Sequence, residues 1–137
     1  LDGDKMSKSR NNTIELRMDA DETAKRIKKA VTDSERFIAF DPENRPEVSN
    51  LLTLAGLAQG RSPREIAEEI GDAGAGRLKA VVTESLNDFL APIRARRAEV
   101  EADPGYVEKV LHEGNERANA MADATLDEVR KAMKMVY

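Results

Sequence analysis

The 137-residue sequence has no cysteine and a single histidine, His112. The first absence excludes disulfides, thiolate metal sites and cysteine nucleophiles, and the second excludes a multi-histidine metal centre. Tryptophan is missing and aromatics make up only 4%. With β-branched runs also scarce, a core of Leu, Ile, Val, Ala and Met points to helices rather than sheets. No apolar run approaches the roughly 18 residues a membrane-spanning helix needs. The polar, charged start from Leu1 to Lys8 predicts no secretory leader, and a cytoplasmic location is expected. Charge of one sign is lacking too. The net charge of −4, from 22 basic and 26 acidic residues, argues against a uniformly basic nucleic-acid binder but leaves room for a local basic patch.

What is present reads as an all-α chain of about five helices after a non-helical arm. Residues 1–18 are that arm, with Asp2, Gly3 and Asp4 as turn formers and the Asn11–Asn12 pair breaking periodicity. Ile14-Glu15-Leu16 is a candidate short strand. Asp19 with Glu22 resembles a capping box, and Ala24, Ile27 and Val31 share the face behind it. Thr32 to Arg45 is irregular, with Arg36-Phe37-Ile38-Ala39-Phe40 its strand-like run.

Pro46 opens a second helix on Val48, Leu51, Leu52, Ala55 and Ala58, and Gly60 caps it. Ser62-Pro63-Arg64-Glu65 starts a short third helix that Gly71 stops. Gly74-Ala75-Gly76 enters a long fourth helix. Its expected buried face runs through Leu78, Val81, Val82, Leu86, Phe89, Leu90, Ile93 and Val100, and Pro92 predicts a kink. Asp103-Pro104 restarts the chain into a fifth helix with an apolar face from Val107 to Met133. Two long helices with shorter ones across them suggest an antiparallel bundle.

Lys5-Met6-Ser7-Lys8-Ser9 is the string that carries chemistry. Two lysines three apart, interleaved with hydroxyls on a loop, suit a polyphosphate: ammonium groups neutralise phosphoryl oxygens, while hydroxyls and loop N–H groups donate hydrogen bonds. On residue type alone a solvated polar loop is the commoner explanation.

The pentapeptide, however, resembles the KMSKS signature of class I aminoacyl-tRNA synthetases. Val31-Thr32-Asp33-Ser34, Phe40-Asp41-Pro42, the run Pro46 to Leu54, the Gly74 to Lys79 entry and the segment Asn115 to Met133 are similar to bacterial tryptophanyl-tRNA synthetases. The resemblance covers essentially the whole chain. Arg10-Asn11-Asn12 stands where many of those enzymes have an acidic residue and proline, which marks a subfamily.

The resemblance implies ATP-Mg²⁺-dependent activation of tryptophan and transfer to tRNA(Trp) by a homodimer, without a membrane. Lys5 and Lys8 would be the catalytic charges. Lys5, Met6, Ser7, Lys8 and Ser9 would bind ATP. No residue of the chain is expected to hold a metal. The family's nucleotide-binding fold precedes this signature, and only Leu1 to Asp4 precede it here. The expectation is therefore a carboxyl-terminal fragment: residues 1–18 as the signature arm of a nucleotide-binding domain, residues 19–137 as a helical anticodon-binding domain, inactive alone. The alternative is a non-catalytic helical RNA-binding or interaction module of the same ancestry.

Two basic clusters are candidates for tRNA phosphate contact: Arg94, Arg96 and Arg97, favoured because guanidinium suits phosphate, and Lys25, Arg26, Lys28 and Lys29. Both have acidic neighbours, and such runs are more often solvated faces. His112-Glu113-Gly114-Asn115 faintly resembles a HIGH motif, but it lies inside an amphipathic pattern with no strand before it and reads as helix surface.

Overall fold

The computed structural model describes residues 6–10 and 12–135. Among them there is no strand. The chain forms α1 (Ala20–Lys28), α2 (Pro46–Gln59), α3 (Pro63–Ile70), α4 (Gly74–Glu101) and α5 (Pro104–Ala132), with short 3-10 turns at Lys8–Arg10 and Gly71–Ala73. The all-α class expected from the apolar spacing holds. It divides into two compact units, residues 1–95 and 96–137.

In the first unit the helix starts follow local chemistry. At α1 the Glu22 N–H donates to Asp19 Oδ1 at 2.7 Å, and the Asp19 N–H donates back to Glu22 Oε2 at 3.2 Å. Asp21 and Glu22 lie in the first turn and Lys25, Arg26 and Lys28 in the last, each matching the sign of the helix dipole there. Pro46 and Pro63 begin α2 and α3, where their missing N–H costs nothing, and Ser62 Oγ accepts the Arg64 N–H.

The chain turns from α2 into α3 through Gly60, at φ +67°. Gly56 makes the turn possible from inside α2: a Cβ there would lie 2.8 Å from the Arg61 carbonyl oxygen and 3.2 Å from Pro63.

α2 is the central element. Val48, Ser49, Leu51, Leu52, Ala55 and Gly56 are all buried and, at helical spacing, fall on one broad face. Ile27 of α1, Ile66 and Ile70 of α3, and Leu78 and Val82 of α4 complete the core, with Ile14 packed at its edge.

The candidate strand Ile14 to Leu16 does not form, and the segment 32–45 is irregular as expected. Leu16 and Arg17 form a turn closed by the Met18 N–H to the Glu15 carbonyl at 3.0 Å. The run 36–40 bends at Arg36 and Phe37 and has no ladder partner. Its Ile38 plugs the core, and the Ile38 N–H donates to the Gly71 carbonyl at 2.7 Å. Arg45 fastens this irregular segment, donating to both Asp33 oxygens at 2.7 Å and to the Phe37 carbonyl at 2.7 Å. The guanidinium of Arg45 holds the Asp33 carboxyl below its usual range, against the opposing effect of burial.

Two expected faces are only partly buried. Val31 lies beyond the end of α1 and is exposed, so Thr23 joins Ile27 as the inner face of α1. On α4, Leu78, Val82 and Leu90 are buried, whereas Phe89 is 52% exposed and Ile93 is also exposed. α4 continues through Pro92 as one helix.

In the second unit α5 starts as expected, with Asp103 Oδ1 accepting the Tyr106 N–H at 3.1 Å ahead of Pro104. Its apolar face is nevertheless exposed from Val107 to Met133, and no α5 residue is buried.

Candidate functional site

The lysine-and-serine loop is positioned by its own backbone and by one buried side chain. Lys8–Arg10 makes a 3-10 turn in which the Arg10 N–H donates to the Ser7 carbonyl at 3.2 Å. The Ser7 and Ser9 hydroxyls share a hydrogen bond at 2.8 Å. The Ser7 N–H donates to Asn12 Oδ1 at 2.8 Å, and Asn12 is only 3% exposed. Lys8 and Ser9 are exposed, Ser7 is half-buried, and Lys5 lies outside the described residues.

An ammonium group and two linked hydroxyls are thus presented to solvent from a closed turn, a donor set suited to phosphate oxygens. Two residues just beyond the string tie it to the first unit: Asn12 is buried and Ile14 packs against the core.

Glu15 is a neighbour that the spacing argument did not single out. Its carboxyl is held below the usual range, first by the hydrogen bond from Arg17 and further by the fields of Arg17, Lys8 and Arg26. Met6, Ile14, Leu16, Leu57 and Phe89 line an open, mostly apolar groove of about 260 Å³ beside the loop.

The three candidate arginines have different surroundings. In the first unit, Arg94 donates to the Met18 carbonyl at 2.9 Å, to Asn87 Oδ1 at 2.9 Å and to Thr23 Oγ1 at 2.9 Å. All three guanidinium nitrogens are therefore engaged, and the side chain ties α4 to the start of α1. In the second unit, Arg96 is exposed, pairs with Glu99 at 2.8 Å and lies 5.8 Å over the Tyr106 ring. Arg97 is exposed and pairs with Glu101 at 2.7 Å. Exposed pairs of this kind contribute little to stability. Of the α1 cluster, Lys25, Lys28 and Lys29 are exposed and Arg26 is half-buried.

His112 to Asn115 lies inside α5 on its surface, as a solvated helix segment should. Among the described residues no three His, Asp or Glu side chains cluster to hold a metal, and no helix is long and apolar enough to cross a membrane.

The family described as tRNA synthetases class I (W and Y) matches residues 1–91. The tryptophan–tRNA ligase of Nostoc sp. is 40% identical over 132 residues, covering 94% of this chain and 39% of the relative. That of Corynebacterium glutamicum is 42% identical over 128 residues, covering 91% of this chain and 37% of the relative. The chloroplastic/mitochondrial tryptophan–tRNA ligase of Arabidopsis thaliana is 36% identical over 132 residues, covering 94% and 32%. The chain thus spans under two-fifths of the length of these relatives.

Proposed function

We propose, for a chain that belongs to the class I tRNA synthetases of the tryptophan and tyrosine type, that it supplies the signature loop and tRNA-contacting helices of a tryptophan–tRNA ligase. One observation carries this reading: the intact string Lys5 to Ser9 stands in a chain 40% identical to tryptophan–tRNA ligase over 94% of its length. The reaction joins tryptophan to AMP, releases pyrophosphate, and passes the tryptophanyl group to tRNA(Trp). Its catalysis is mainly positioning and charge stabilisation, because the carboxylate attacks the α-phosphorus directly.

In this reading ATP arrives as its Mg²⁺ complex, as substrate. Lys5 and Lys8 meet the charge developing on the pyrophosphate leaving group. Ser7, Ser9 and the backbone around Met6 donate to phosphate oxygens. Residues 1–18 work with a nucleotide-binding domain, and residues 19–137 serve the anticodon arm. Arg96 and Arg97 are the better phosphate contacts, since Arg94 must first give up three hydrogen bonds within the protein. The family resemblance supports a homodimeric, cytoplasmic enzyme.

The test is ATP–pyrophosphate exchange by the full polypeptide carrying this segment. Tryptophan, not tyrosine, is expected to support exchange. Lys8→Ala should slow it by about 10²–10³ with little change in tryptophan affinity, because the lost contact belongs to the phosphate end of the transition state. Exchange with tyrosine alone, or at the parent rate in the variant, contradicts the proposal.

A further inference from the structure

We infer that Asn12 is a positioning residue for the signature loop: its buried amide oxygen accepts the Ser7 N–H and holds the loop in a phosphate-ready turn before ATP binds. This rests on the function proposed above and extends it to a residue outside the signature string.

Three observations converge on Asn12. It is 3% exposed, so its side chain is set by the protein rather than by solvent. Its partner is a backbone N–H at the centre of the Lys5 to Ser9 string, bonded at 2.8 Å across five residues. The same residue, Ser7, uses its carbonyl to accept the Arg10 N–H at 3.2 Å and its hydroxyl to bond Ser9 at 2.8 Å. Fixing the Ser7 peptide therefore fixes the turn that presents Lys8. Ile14, two residues on, packs against the core, so the Asn12 backbone is itself anchored. The chain from core to loop is short: Ile14 holds Asn12, Asn12 holds Ser7, and Ser7 sets Lys8 and Ser9.

The kinetic consequence differs from that of losing Lys8. Without the Asn12 acceptor the turn is populated for only a fraction of the time, and apparent ATP affinity falls by that fraction. Saturating ATP restores the turn, because the charges and hydroxyls that grip it are intact. Asn12→Ala should therefore raise KM for ATP and spare kcat, whereas Lys8→Ala lowers kcat. A residue needed only for folding would instead reduce the amount of active enzyme, lowering kcat at unchanged KM. The net worth of one such hydrogen bond corresponds to about a 2- to 10-fold effect.

The experiment has two readouts. In the full polypeptide, tryptophan-dependent ATP–pyrophosphate exchange is measured against ATP concentration for the parent, Asn12→Ala, Asn12→Asp and Lys8→Ala. In the 137-residue chain, amide hydrogen exchange at Ser7 is measured for the parent and the two Asn12 variants. Asn12→Ala should raise KM for ATP by about 2- to 10-fold with kcat within twofold, and speed Ser7 exchange by a similar factor. Asn12→Asp keeps a side-chain oxygen acceptor and should return both values to within about threefold of the parent. An unchanged KM in Asn12→Ala overturns the inference, as does a raised KM without faster Ser7 exchange. If Lys8→Ala exchanges at the parent rate, it is the proposed function of the loop that falls. If Lys8→Ala is slow while Asn12→Ala matches the parent, the role of Asn12 falls alone.

Discussion

The units 1–95 and 96–137 are written in the same helical language and end very differently. Both begin helices with Asp or Ser caps and proline, and both repeat apolar residues at helical spacing. Yet every buried hydrophobic residue lies in the first unit, at or before Leu90, and none in the second among the described residues. Periodicity records which face is apolar; it does not record whether anything covers that face. The contrast has a functional side, because the family match at residues 1–91 falls within the first unit, with the signature loop.

The largest expected effect comes from making one substitution in each unit. Leu52→Ala removes a fully buried side chain at the centre of α2 and should cost about 2–5 kcal/mol in chemical denaturation. Leu111→Ala, at 62% exposed on α5, should change stability by under about 0.5 kcal/mol. Equal losses would mean that α5 is covered in solution.

Glycines give the next contrast, with opposite signs. Gly56→Ala pushes a methyl against the Arg61 carbonyl, which belongs to backbone and cannot swing aside, so a loss of about 1–3 kcal/mol is expected. Gly114→Ala adds a methyl in open space inside α5 and should gain about 0.5–1 kcal/mol in thermal denaturation. The same sign at both sites would refute the difference in packing.

Much of this was readable from residues close in sequence. The capping box at Asp19 and Glu22, Ser62-Pro63 and Asp103-Pro104 act within one turn, so reading them needs no tertiary knowledge. The run 36–40 has strand-like residues and still stays irregular, because strand propensity reflects fit to a half-buried surface. Here Ile38 meets that need singly, against the core and the Gly71 carbonyl, with no second strand.

Arg94 looked like one of three similar arginines; its partners Met18 and Thr23 lie more than 70 positions earlier, beyond any local pattern. At the candidate site the signature string was legible as chemistry, but its support was not. Asn12 read as a breaker of periodicity, and only the fold turns it into the acceptor for Ser7.

A smaller effect separates the ion pairs by pH. The folded pKa of Asp33 is depressed by Arg45, so this pair stabilises the first unit above the ordinary aspartate range and the contribution fades as pH falls through the folded value. Asp33→Asn should therefore flatten the acid limb of the stability–pH curve. Neutralising Glu99, an exposed partner of Arg96 in the second unit, should leave that limb almost unchanged. Parallel curves for parent and Asp33→Asn would contradict the role of the Arg45 pair.

The proposed function divides the labour: the loop of the first unit would act on ATP, and the exposed arginines of the second on tRNA. The direct measurement runs pyrophosphate exchange and tRNA charging side by side on the full polypeptide, comparing Lys8→Ala with the double variant Arg96→Glu, Arg97→Glu. The account predicts that Lys8→Ala loses both activities together, while the double variant keeps exchange, raises KM for tRNA and shows a shallower salt dependence of tRNA binding. Exchange retained in Lys8→Ala, or lost in the double variant, would contradict it.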